Sequence, residues 1–108
     1  MELIVKNENG WTEAYLDENC NDGKFYLVAV LLETDLGIEF TSKASEFDSI
    51  YWEFKYKETS LLLHYNIYFG VSIFPASFKK ATQSDNEKVL EIGKLIFEKL
   101  RDRGSAAI

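Results

Sequence analysis

The sequence predicts an α+β fold: a mostly antiparallel sheet covered on one face by two helices, a two-layer sandwich. Three observations carry this. Residues 49–74 read as three short strands in series, a meander. Residues 23–35 form an apolar run with helix-start and helix-end signals. Residues 84–103 repeat Val89, Ile92, Ile96 and Leu100 at helical spacing. The 108 residues suit one domain, residues 1–108, with 105–108 expected as a loose tail.

From the N-terminus, Glu2 to Lys6 carries the β-favouring Leu3, Ile4 and Val5. Asn9-Gly10 is a turn signal. Trp11 to Leu16 fits either a hairpin partner for the first strand or a short helix, because Trp11, Glu13 and Tyr15 define no clean face. The run Phe25 to Leu32 is apolar on all sides, so periodicity alone does not separate helix from strand. Three cues favour helix. Asn21 or Asp22 can cap its start, Leu27, Ala29, Leu31 and Leu32 are good helix formers, and Gly37 stands where a left-handed cap belongs. Phe25, Val28, Ala29 and Leu32 then form its inner stripe.

Ile38 to Thr41 alternates as a strand, and Ser42 to Asp48 reads as a polar loop with Phe47 tucked inward. In the first meander strand Trp52, Phe54 and Tyr56 share one face, and Glu53, Lys55 and Lys57 the other, because successive strand side chains alternate. Leu61, Leu63 and Tyr65 share a face in the second strand, with Leu62 and His64 opposite. Val71 and Ile73 pair in the third, which Pro75 ends. Tyr51 and Leu62 therefore belong to the uncovered face of the sheet. Ser84-x-x-Glu87 fits a capping box for the last helix, Leu95 and Phe97 widen its apolar stripe, and Gly104 can end it.

Composition narrows function more than it names one. One cysteine allows no intrachain disulfide, which favours a reducing compartment. The N-terminus lacks a secretory pattern, and the longest apolar run is far below the roughly 20 residues of a membrane span. A cytoplasmic location without membrane contact is expected. The formal net charge is -6, and residues 1–60 hold 13 Asp or Glu against 5 Lys or Arg. Phosphate backbones are bound by clustered cations, so nucleic acid is not an expected partner.

No constellation carries catalysis. His64 is the only histidine and has no Ser or Cys motif beside it. A Cys20–His64 dyad is opposed by Asp17, Glu18 and Asp22, whose charge disfavours a thiolate. Residues 17–28 resemble a calcium loop but place Asp22 where the glycine belongs and Val28 where a bidentate glutamate belongs. One His and one Cys do not make a zinc shell, and the scattered glycines make no phosphate loop. No catalytic residue, metal or cofactor is assigned.

The strings Trp52-Glu53-Phe54, Leu63-His64-Tyr65 and Gly70-Val71-Ser72-Ile73-Phe74-Pro75 resemble a strand pattern of small uncharacterised bacterial α+β proteins, over residues 36–76. The resemblance implies the fold and carries no catalytic residues. Some acidic proteins of this build act as immunity proteins to secreted toxins. The leading expectation is a non-enzymatic domain that binds a basic protein, an immunity-type inhibitor, through Glu39, Glu46, Asp48, Tyr51 and Glu53. Two alternatives stand beside it. One is a small-molecule or enzymatic pocket at His64 and Tyr65. The other is a homo-oligomer built through an open sheet face or edge, the expected states being monomer or weak homodimer.

Overall fold

The computed structural model describes residues 3–7 and 10–106, with backbone only for 103–106. Glu2, Asn9 and residues 107–108, which the expected first strand, first turn and tail include, lie outside them. The elements in order are β1 (Ile4–Lys6), β2 (Glu13–Asp17), α1 (Asp22–Leu36), β3 (Phe40–Glu46), β4 (Ser49–Tyr56), β5 (Thr59–Asn66), β6 (Gly70–Pro75), a 3-10 turn (Phe78–Lys80) and α2 (Gln83–Ala106). The strands form one antiparallel sheet in the order β1-β2-β6-β5-β4-β3. Both helices pack on one face of it, giving the expected α+β architecture.

Directly opposed residues of an antiparallel pair share a face, so the register sorts the sheet into transverse rows. One row runs Val5, Ala14, Ile73, Leu63, Trp52, Lys43. It faces the helices, and Ala14, Ile73 and Leu63 are fully buried there with Phe25, Val28, Leu32, Val89, Ile92 and Ile96. Burying a large apolar side chain is worth about 1.5–3 kcal/mol, so this row and the helix stripes dominate stability. Trp52 meets Phe25 and Phe40 edge-to-face, with ring centroids 5.1 Å apart in each pair. Gly93 lets α2 approach closely, since a Cβ there would meet the Ala14 Cβ at 3.0 Å.

Of the segment 11–16, residues 13–16 belong to strand β2 (Glu13–Asp17), the hairpin partner of β1. Ala14 and Leu16 are buried against α2 and the core, while Trp11, Glu13 and Tyr15 turn to the other face, so neither face was visibly polar in the sequence. Helix α1 starts where Asn21 Oδ1 accepts the Gly23 amide and ends at Gly37, whose φ is 66°. Its inner stripe is the expected one, joined by Leu31.

Five local expectations are corrected. The polar stretch from Ser42 onward is the greater part of β3, paired with β4 through Glu46 and Ser49. It escapes hydrophobic patterning because this edge strand projects past the helices and is exposed on both faces. Phe47 is not tucked inward; it occupies the two-residue turn between β3 and β4 and is fully exposed. The capping box of α2 forms two residues earlier than Ser84 and Glu87. Thr82 Oγ1 accepts the Asp85 amide at 3.1 Å, and Asp85 Oδ2 accepts the Thr82 amide at 3.0 Å. The Thr12 amide donates to Asn86 Oδ1 at 2.9 Å, which pins that start to the entry of β2. Leu95 is exposed rather than part of the stripe, and α2 runs through Gly104 to Ala106. A glycine costs about 1 kcal/mol inside a helix but does not compel a stop.

Candidate binding face

The row opposite the core runs Ile4, Tyr15, Ser72, His64, Tyr51, Ala44. No helix covers it. It floors a groove of about 450 Å³ walled by Trp11, Tyr15, Tyr51, Phe69, Phe74 and Phe78, with Lys6, Glu13 and His64 supplying the polar groups. The rings form a continuous line. Tyr51 stacks on His64 at 4.6 Å, His64 meets Phe74 at 5.5 Å, Phe74 meets Phe78 at 5.8 Å, and Phe78 meets Trp11 at 4.9 Å. Volumes of about 300–1,000 Å³ with apolar walls and few polar groups suit ligand recognition.

At the groove floor Ser72 Oγ donates to Glu13 Oε2 at 2.7 Å. His64 Nε2 is buried and makes no hydrogen bond to another protein group. Burial holds the imidazole below its ordinary 6.5, against the opposing fields of Glu13 and Asp48. Tyr65, its neighbour in sequence, lies on the other face, buried in the core. The structure therefore separates the expected His64–Tyr65 pair, because adjacent strand residues point to opposite faces.

Groove and sheet end are continuous through Phe69. The β5–β6 turn presents Ile67, Tyr68 and Phe69, all exposed, beside the fully exposed Phe47. These tips are tied together. The Ile67 amide donates to the Asp48 carbonyl at 3.1 Å, and Asn66 Nδ2 donates to Ser49 Oγ at 2.8 Å. Asn66 Oδ1 accepts the Tyr68 amide at 2.8 Å, and Ser49 Oγ donates to Asp48 Oδ1 at 3.4 Å. An apolar tip so anchored is already shaped for contact, which lowers the entropy lost on binding.

Of the residues expected to bind a partner, Glu46 and Asp48 flank Phe47 at this tip. Tyr51 forms part of the groove wall, and Glu53 shares its strand face. Glu39 precedes β3 and stands at its other end, roughly 20 Å away along a seven-residue strand. Sequence reasoning missed Trp11, Phe47, Ile67 and Phe78. Exposed aromatics in turns were the available signal for Phe47; the others join the face only through register and the fold of the segment after Pro75.

Cys20 belongs to the other side of the molecule, against the core. Burial, then the charge of Asp17, raise its thiol above 9.0. The acidic residues around it have local partners: Asp17 pairs with Lys24 at 3.5 Å and Glu18 with Lys6 at 3.1 Å. Among the described residues no group of three His, Cys, Asp or Glu is placed to hold a metal ion. Nor is any helix among them long and apolar enough to cross a membrane. Comparison with family models, curated proteins and solved structures returned no match to this chain.

Proposed function

We propose that this chain is a non-enzymatic cytoplasmic binding module that docks a basic protein, in the manner of an inhibitor that neutralises a cationic toxin. One observation carries the reading: Phe47 stands fully exposed between Glu46 and Asp48, on a turn hydrogen-bonded to the equally exposed Ile67–Phe69 tip. Large apolar side chains on a rigid, acid-rimmed projection have no role in the core. They match the anatomy of interface anchors, where a few aromatics supply most of the binding energy and charges steer the encounter.

The test is capture of partners from host extract with the wild-type chain and with Phe47→Ser. The expected partner is basic, binds less tightly as salt rises, and loses about 30-fold in affinity to the variant, the size of a hot-spot truncation near 2 kcal/mol. The variant keeps the wild-type stability, since Phe47 contributes nothing to the core. A partner that binds Phe47→Ser as tightly as wild type sinks the proposal.

A further inference from the structure

Among the described residues Glu13 is the one carboxylate that lines the aromatic groove, and its hydrogen bond is to the Ser72 hydroxyl. Ser72 is almost wholly buried, so this pair forms part of the floor. Lys6 stands directly opposite Glu13 in the β1–β2 register, yet its ammonium turns to Glu18 at 3.1 Å and lies 4.7 Å over the Tyr15 ring. Among the described residues no cation forms an ion pair with Glu13. The groove thus combines a carboxylate that is in no ion pair with several ring faces whose quadrupoles are also negative; the Lys6 ammonium that also lines it is engaged by Glu18. A further cation that reaches Glu13 is attracted by the carboxylate and by the rings. A neutral apolar group leaves the carboxylate unpaired.

We infer that this groove receives an arginine side chain of the basic partner, with its guanidinium laid on the aromatic wall and its N–H groups directed to Glu13. The planar guanidinium stacks on rings and matches a carboxylate with two parallel hydrogen bonds, which an ammonium does not. The Lys6–Tyr15 contact shows that a cation already rests on a ring of this same wall. The inference deepens the docking proposal and rests on it, but its site is distinct from the Phe47 tip.

The experiment uses the full chain and no partner. N-acetyl-arginine amide is titrated into ¹⁵N-labelled protein, with N-acetyl-citrulline amide as the neutral probe of nearly the same shape. The arginine probe is expected to move the Trp11 indole and the His64 and Ser72 amides saturably, and the citrulline probe to bind about tenfold more weakly, a common size for loss of one charged contact. Glu13→Gln keeps an acceptor for Ser72 and is expected to weaken the arginine probe to a similar degree. Tyr51→Leu, which removes a wall ring without touching the floor, weakens it as well. Equal binding of the two probes, shifts outside the groove, wild-type binding by both variants, or no saturable shift overturns the inference. Such a failure leaves the Phe47→Ser comparison standing, and failure of that comparison leaves this titration interpretable.

Discussion

A Cβ placed on Gly70 would lie 1.9 Å from the carbonyl oxygen of Asp17. Gly70 opens β6 with φ of 82°, and β2 carries a register irregularity between Tyr15 and Asp17 where it pairs with β6. The end of β2 and the start of β6 therefore meet backbone to backbone. Both the dihedral and the space demand glycine. Gly70→Ala is expected to destabilise the fold by about 3 kcal/mol or more, since backbone strain and a clash with main chain add together. Urea denaturation measures it; a loss below about 1 kcal/mol contradicts the close approach.

The β4–β5 turn poses the opposite case. Lys57 and Glu58 occupy its two central positions with φ of 49° and 69°, the positive pair that a type I′ turn requires and that Asn-Gly ordinarily supplies. Glu91 on α2 holds the turn by accepting from Tyr56 Oη at 2.7 Å and from Lys57 Nζ. Glu58→Gly removes the left-handed strain and leaves that tie intact. It is expected to raise stability by about 1 kcal/mol, visible as a higher urea midpoint at an unchanged slope. A lower midpoint rules out strain at this position.

His64 makes stability depend on pH. Its imidazole is held below 6.5 in the folded chain by burial, which outweighs Glu13 and Asp48. As pH falls below 6.5 the unfolded chain takes up the proton first, so stability declines until the folded-state pKa is passed. Above 6.5 the contribution is fully present. The urea midpoint is expected to drop between pH 7.5 and the mildly acidic range, and to drop less in His64→Phe, which keeps a ring beside Tyr51. An identical decline in the variant shows that another group is responsible.

Cys20 is expected to be a slow thiol. Burial, then Asp17, raise its pKa above 9.0, and its Sγ lies 3.6 Å from the Asp17 carbonyl, so little thiolate exists at neutral pH. A chromogenic disulfide reagent is expected to label the native protein far more slowly than the urea-unfolded chain. Equal rates would mean an open, reactive cysteine.

Much of the helical layer is legible in local sequence, because caps and stripes act within a few residues. Asn21, Gly37 and the Phe25–Leu32 stripe perform as their positions imply. The capping box shows the limit of such signals: Thr82 with Asp85 and Ser84 with Glu87 are equivalent as strings, and the contact of Asn86 with the Thr12 amide favours the earlier start. Strand β3 defeats patterning because an edge strand projecting beyond the core is polar on both faces. Trp11 to Leu16 defeats it for the converse reason, since aromatics line the uncovered face as well as the core.

Alternation and capping, which are properties of neighbouring residues, determined from the sequence alone that a Trp-bearing meander sets one face against two helices. The candidate binding face was decided only by tertiary structure. Its walls come from the segment before β2, from β4, from the β5–β6 turn and from the turn after β6, and no local pattern links Trp11 to Tyr51. Strand order and register bring these segments to one face, and those are set by which apolar sets can be buried together. The groove is what remains on the opposite face once the core has chosen its side.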